Sequence, residues 1–159
     1  MGDFVLFRED VERIQKTLSH LLTESASSFV LLIHRDGNLL SQVGFNTAMD
    51  VTGLSALAAG SFASTRAIAA IIGENEFTMM IHQGEKQNIC ITLVDEDAIL
   101  LIVFDERTNL GMVKLVSVQS KNKLVEILND VRRNEFGEAS PGDDSQGVSD
   151  RIDSLFGNA

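Results

Sequence analysis

Residues 51–72 contain a single charged side chain, Arg66, although 23% of the whole chain is charged. On a helix with about 100° per residue, the large apolar side chains of this stretch fall on one side and the small ones form a neighbouring stripe. The large set is Leu54, Leu57, Ile68 and Ile72, and the small set is Gly53, Ala56, Gly60, Ala63, Ser64 and Ala67. We expect the large side chains to pack in a core and the small ones to form a surface that a neighbouring segment can approach closely. A helix without a polar face is usually covered on both sides, which favours an interaction protein whose second cover is another chain.

Two other structures for residues 51–72 are a membrane span and a wholly buried core helix. Seven residues of the stretch are Gly, Ser or Thr, and Arg66 lies well inside it, so the sequence disfavours membrane insertion. A wholly buried helix stays open as an alternative. The first ten residues show no secretory signal, and we therefore expect a cytoplasmic protein.

The net charge and the length of the chain further limit which classes of protein it can belong to. A chain of 159 residues can form one domain with a proper core. Its formal charge of −10 argues against nucleic acid and anionic membrane as partners, because both reward clustered Lys and Arg. Cys90, the only cysteine, lies in an apolar run and is expected to be a buried side chain rather than a nucleophile.

The periodicity of apolar residues predicts three helices and five strands. In order, they are a helix at 9–25, strands at 29–35 and 39–44, a helix at 51–72, strands at 76–83, 87–95 and 98–105, and a helix at 109–134. Asp50 is expected to cap the second helix and Gly73 to end it in a left-handed conformation. The fold class is therefore α/β in the broad sense, an α+β sandwich with a five-stranded antiparallel sheet.

Two regions follow from this pattern, a folded domain at residues 1–134 and an acidic tail at residues 135–159. The tail carries six acidic residues and one basic residue, a formal charge of −5, and Gly, Ser and Asp dominate most of it. An amphipathic segment at 150–156 places three apolar residues at i, i+3 and i+4 spacing. These are Ile152, Leu155 and Phe156.

No pattern in the chain indicates catalysis, a cofactor or a metal. The sequence contains no phosphate-binding glycine loop, no HExxH and no paired cysteines, and its three histidines are scattered. Asp95, Glu96 and Asp97 are expected to form a solvated turn, since they lack the spacing of a calcium loop. We predict no catalytic residue and a regulator rather than an enzyme.

Three strings carry a resemblance to a known family. They are LSALAAG at 54–60, IGENEF at 72–77 and FDERTNLGMVKL at 104–115, and the acidic, apolar ending of the tail adds to them. The chain resembles the roadblock domain (dynein light-chain roadblock type), and within it the bacterial MglB-type polarity proteins, which regulate the small Ras-like GTPase MglA. The resemblance spans nearly the whole chain.

The resemblance implies a homodimer in which the second helix and the strand at 76–82 each pair with their twin. The implied interface residues are Phe62, Glu76, Phe77 and Met79. It further implies that the paired helices dock one MglA-like GTPase at its switch regions and accelerate GTP hydrolysis without an arginine finger. The implied docking residues are Ala56, Gly60, Ala63, Ser64 and Ala67.

Several alternatives stay open. Arg66 is a further candidate GTPase contact, acting as an arginine finger in trans, and otherwise it points to solvent or pairs across the dimer. The residues Ile152, Leu155 and Phe156 are expected to bind the GTPase or another polarity protein, and the rival interpretation is a solubilising tail. The protein as a whole is either a GTPase activator, concentrated at a cell pole, or a roadblock scaffold that binds without accelerating hydrolysis. A small-molecule enzyme is a third class, which the sequence does not support.

Overall fold

Runs of alternating and continuous apolar residues fold as the sequence predicts. The computed structural model describes residues 5–44 and 48–136. Its elements are α1 (Arg8–Ser25), β1 (Phe29–His34), β2 (Leu39–Gly44), α2 (Val51–Ile71), β3 (Met79–Gln83), β4 (Asn88–Leu93), β5 (Ala98–Phe104) and α3 (Leu110–Phe136). The predicted element order is confirmed. The predicted tail residues Ile152, Leu155 and Phe156 lie outside the described residues.

The five strands form one antiparallel sheet in the order β2-β1-β5-β4-β3. β1 and β5 lie side by side near its centre, where Leu31 pairs with Leu101. Both strands are almost wholly apolar and buried, as strands covered on both faces should be. β3, β4 and β5 form the predicted meander. β2 and β3 are the two edges.

Alternate residues along the central strands point to opposite faces of the sheet. Val30 and Leu32 pack with α1 and α3 on one face. Leu31 and Ile33 pack on the other face with Phe62 of α2. The molecule therefore has three layers, with α1 and α3 on one side of the sheet and α2 alone on the other.

The side of α2 that contacts the sheet differs from the predicted one. Its buried residues are Ser55, Ala58, Ala59, Phe62 and Ala69. The large apolar set expected in the core is mostly exposed, with Leu57 at 75%, Ile68 at 52% and Ile72 at 65%. Only Leu54 is half-buried and packs at the margin of the core. The small residues beside Phe62 allow the helix to lie close to the sheet, while Phe62 is the large side chain of α2 that is fully buried between them.

Both ends of α2 follow the predicted chemistry. The Asp50 carboxylate accepts a hydrogen bond from the Gly53 N–H at 2.9 Å. Gly73 has a φ of +83°, and the Glu74 N–H donates to the Ala69 carbonyl at 2.9 Å. This arrangement is the left-handed helix ending that glycine favours. The predicted cap and stop are confirmed.

Candidate functional site

The outward side of α2 forms a broad surface of small and apolar side chains, which we call the α2 surface. Its small residues Ala56, Gly60, Ala63, Ser64 and Ala67 are all exposed. Its large residues are Leu57, Ile68, Ile71 and Ile72. A methyl group built on Gly60 would meet nothing within 4 Å, so the backbone there is open to a close approach. The five residues predicted to dock a GTPase therefore all lie on the outside of the protomer.

The α2 surface is unusually apolar for the outside of a domain. Ile71 is 84% exposed, and only 28% of the most apolar 18-residue stretch of α2 is buried. By length and composition, α2 is the one helix in the described part of the chain that could cross a membrane, a test that core helices also pass. Its inner side packs on the sheet of a folded domain. A contiguous exposed apolar surface of this kind is typical of a binding interface.

Arg66, the single charge on α2, has a partner in its own chain. Its Nε lies 2.9 Å from Oε1 of Glu76, which also accepts a hydrogen bond from Nη2 of Arg35. Glu76 follows α2 and precedes β3, whereas Arg35 lies in the turn between β1 and β2. One carboxylate thus connects three segments of the protein. The side chain of Arg66 remains 48% exposed at the rim of the α2 surface.

The four residues predicted for the dimer interface have different environments. Phe62 is 1% exposed within the single protomer, so it offers almost no surface to a second chain. Glu76 is engaged by the two arginines, and Phe77 is half-buried beside it. Met79 pairs with Thr92 and packs towards α1 and α3. Sequence reasoning missed that the exposed apolar residues of α2, rather than Phe62, form the surface.

The two edges of the sheet are not equally open. At β2, the Gln15 side chain of α1 donates hydrogen bonds to Ser41 Oγ at 3.0 Å and to the Gln42 carbonyl at 3.2 Å. β3 pairs with β4 on one side only. An edge strand with unpaired backbone groups is a template for pairing with a further strand. β3 is therefore the more accessible edge for another chain.

The acidic turn between β4 and β5 is held by a contact with α3. The turn at Asp95–Asp97, expected to be solvated, is instead bound to α3, because Arg132 Nη2 lies 2.8 Å from a carboxylate oxygen of each aspartate. Partial burial lowers the pKa of Arg132, but the hydrogen bonds and charges of Asp95 and Asp97 outweigh it, and the pKa is raised. The guanidinium therefore stays charged, and the turn is fixed to the end of α3.

No chemical site accompanies the α2 surface in the described part of the chain. Cys90 is fully buried, and burial raises the pKa of its thiol, which disfavours the reactive thiolate. Within residues 5–44 and 48–136, no three His, Cys, Asp or Glu side chains are grouped to hold a metal ion. The exposed, nearly uncharged α2 surface resembles the apolar centre of a protein–protein interface.

The fold is a three-layer α/β domain with an exposed apolar helix face, and comparison with known proteins assigns its family. The chain belongs to the Roadblock/LC7 domain family, whose model matches residues 14–104. No curated protein matches the chain. Solved structures that resemble it include three MglB proteins.

All three MglB structures cover most of the chain. One, described as MglB with a tetrameric arrangement, is 30% identical, with a TM-score of 0.78 over 82% of this chain and 98% of its own. The gliding protein MglB from Thermus thermophilus is 32% identical, with a TM-score of 0.76 over the same shares. Myxococcus xanthus MglB is 31% identical, with a TM-score of 0.75 over 80% of this chain and 96% of its own. The predicted roadblock fold and MglB-like character are confirmed.

Proposed function

We propose that this protein is a homodimeric activator of a small Ras-like GTPase of the MglA type. The observation that carries the proposal is the α2 surface, because a folded domain rarely leaves an uncharged helix face this exposed without a partner. The likeness to MglB structures at about 30% identity supports the choice of partner class. The protein itself regulates and does not catalyse.

The second copy of the chain covers the large apolar part of the α2 surface. Leu57, Ile68 and Ile72 occupy one side of the exposed face, and β3 supplies an open edge in the same protomer. In a two-fold dimer both subunits use the same patch, so each of these residues contributes one buried side chain from each subunit. These residues replace Phe62 in the proposed interface, with Glu76, Phe77 and Met79 at the strand.

The small residues of the α2 surface receive the GTPase. Ala56, Gly60 and Ala63 let a switch loop approach the helix backbone, and Ser64 and Ala67 continue the same stripe towards its end. Binding there would favour the switch conformation in which the GTPase's own residues stabilise the transition state. One GTPase per dimer follows if the two stripes lie side by side. The catalytic groups would belong to the GTPase.

The structure favours a structural role for Arg66 over an arginine finger. A finger must extend into the partner's active site, whereas Arg66 is held by Glu76 in its own chain.

The tail residues Ile152, Leu155 and Phe156 are proposed to contact the GTPase or another polarity protein. We further propose that the protein acts in the cytoplasm, concentrated at a cell pole.

Single-turnover GTP hydrolysis by an MglA-like GTPase tests the proposal. We expect the wild-type protein to accelerate hydrolysis and Ala63→Arg to remain a folded dimer without binding or acceleration. Thr23→Arg, an equal change at an exposed site on α1, is the matched control and should behave as wild type. Binding without acceleration would identify a scaffold instead. Undiminished activity of Ala63→Arg would show that the docking face lies elsewhere.

A further inference from the structure

A second surface lies on the opposite side of the molecule, in a groove between α1 and α3. Its volume is about 540 Å³. Arg13, Lys16 and His20 of α1 line one wall, and Gln119, Lys123 and Glu126 of α3 line the other. The groove is thus separated from the α2 surface by the thickness of the sheet.

The groove is basic in a chain whose formal charge is −10. Arg13 is paired with Asp130, at 3.0 Å between Nη1 and Oδ2. Among the described residues, neither Lys16 nor Lys123 is in an ion pair. Lys16 and Lys123 therefore lie on opposite walls of the groove, and Glu126 is the one carboxylate among the residues that line it. Such a local excess of positive charge favours an acidic ligand.

The two helices run in opposite directions, so the end of α3 lies at one end of the groove. The Val5 N–H donates to Oε1 of Glu135 at 2.7 Å, which places the start of α1 beside the end of α3. At the other end, α3 exposes two apolar side chains, Met112 at 42% and Leu115 at 55%. Leu115 precedes the lining residue Gln119 by one turn on the same row of the helix. Going from the end of α3 towards its start, the basic groove is therefore followed by an exposed apolar part of the α3 surface.

Along residues 137–159, charged residues come first and large apolar residues follow, as on the groove side of the protein, but the charge is negative. Residues 137–159 contain five acidic residues and one basic residue, a formal charge of −4, and their large apolar residues come last. We propose that the α1–α3 groove binds this tail of the same chain. Asp150 and Asp153 would meet Lys16 and Lys123, and Leu155 would meet Leu115. The tail would leave the groove when Leu155 makes its proposed contact with the GTPase or another polarity protein. The inference depends on neither the dimer nor the GTPase.

The lengths permit this contact. Lys123 lies 13 residues before the end of α3, which is roughly 20 Å along a helix. Residues 137–149 can span up to roughly 40 Å when extended, so Asp150 reaches the lysines with chain to spare. Leu115 lies roughly 32 Å from the end of α3, and the 19 residues up to Leu155 exceed that distance when extended.

A weak contact between the tail and the groove is enough for the tail to occupy the groove. Exposed ion pairs are individually weak, because water and salt screen them. A short tether, however, holds the tail at an effective concentration on the order of millimolar around the groove. A contact with a millimolar dissociation constant would therefore form in a large share of molecules. Because its attraction is electrostatic and exposed, salt should release it.

Paramagnetic broadening in the full-length protein tests the proposal. A spin label is attached at Asn158→Cys in a Cys90→Ala background. The intensities of the amide signals are then compared before and after the spin label is reduced to its diamagnetic form. We expect residues 16–20 and 119–126 to lose most of their intensity at low salt and to regain it at roughly 0.5 M salt, where the Debye length falls below about 5 Å. The α2 signals should not change.

Charge reversal supplies the matched comparison. Lys16→Glu with Lys123→Glu should abolish the broadening, while Lys86→Glu with Lys114→Glu, the same charge change outside the groove, should preserve it. A mixed sample shows whether the tail comes from the same copy or from another one. In it, isotope-labelled protein without a spin label is combined with spin-labelled protein that carries no isotope. Broadening in that mixture would show that the groove takes the tail of another copy and would overturn the proposal. Broadening confined to α2, or none at all, would overturn it as well.

Discussion

Arg66 of α2 and Glu76 before β3 form an ion pair within one chain, with 2.9 Å between Nε and Oε1. The same carboxylate holds Arg35 of the β1–β2 turn. The pair connects the helix that carries the α2 surface to the segment that leads into the open sheet edge. Since Arg66 is half exposed, the pair contributes little to stability, and its value is in fixing the position of that segment.

Replacing Arg66 distinguishes this structural role from an arginine finger. We expect Arg66→Ala to leave the acceleration of GTP hydrolysis within about threefold of wild type, whereas loss of a finger costs about 10³–10⁵ in rate. Single-turnover hydrolysis at saturating regulator is the measurement. Arg66→Lys is the control, because it keeps a charge but not the guanidinium. A fall on the scale of a lost finger in both variants would make Arg66 a direct participant in hydrolysis.

A charge in the exposed apolar part of the α2 surface should separate the dimer. Ile68 is 52% exposed in the protomer, so burying the rest of its side chain contributes about 0.8–1.5 kcal/mol. The residue occurs once in each subunit of a two-fold dimer, so Ile68→Asp should raise the dimer dissociation constant by at least roughly 10–10². Sedimentation equilibrium measures the constant. Ser19→Asp, at an exposed site on α1, should leave it unchanged. An unaltered constant for Ile68→Asp would remove this side of α2 from the interface.

Phe62 should affect folding rather than assembly. Because Phe62 is buried between α2 and the sheet, Phe62→Ala should lower the free energy of unfolding by about 3–5 kcal/mol. Denaturant unfolding at several protein concentrations measures the loss and its dependence on assembly. The neighbouring exposed change Ala63→Ser should cost less than about 0.5 kcal/mol. A Phe62→Ala protein that unfolds like wild type but no longer dimerises would restore Phe62 to the interface.

Two adjacent arginines at the end of α3 should differ in their importance. Arg132 binds Asp95 and Asp97 and is 23% exposed, whereas Arg133 is 75% exposed. Arg132→Ala leaves two partly buried carboxylates without their cation and should cost about 1–2 kcal/mol of unfolding free energy. Arg133→Ala should cost less than about 0.5 kcal/mol. Chemical denaturation compares the two, and equal losses would show that the turn is not held by Arg132.

The buried thiol predicts a pH effect of known sign. Burial raises the pKa of Cys90 above its ordinary value, so the folded state retains the proton more strongly than the unfolded state. The stability linked to this thiol is complete below the unfolded pKa and is lost as the pH rises through the folded pKa. At about pH 8 we expect a thiol reagent to label the native protein at least about 100-fold more slowly than the denatured protein. Fast native labelling would place Cys90 in an accessible site.

Local chemistry explains why the elements were predictable. The apolar runs of β4 and β5, the Asp50 cap and the Gly73 stop each act within a few residues, and each is present in the structure. The surface of α2 was only half predictable. Its lack of charge identified the helix as an interaction element, but the side that faces the sheet depends on which residues the sheet accommodates.

The sequence by itself determined the element order, the family resemblance and the near absence of charge on α2, because periodicity, capping and composition are properties of neighbouring residues. Tertiary structure decided that Phe62, between small residues, faces the sheet while Leu57, Ile68 and Ile72 remain outside. It also brought Glu76 to two arginines and Arg132 to a distant turn. These contacts join residues far apart in the chain, and their geometry depends on how whole layers pack.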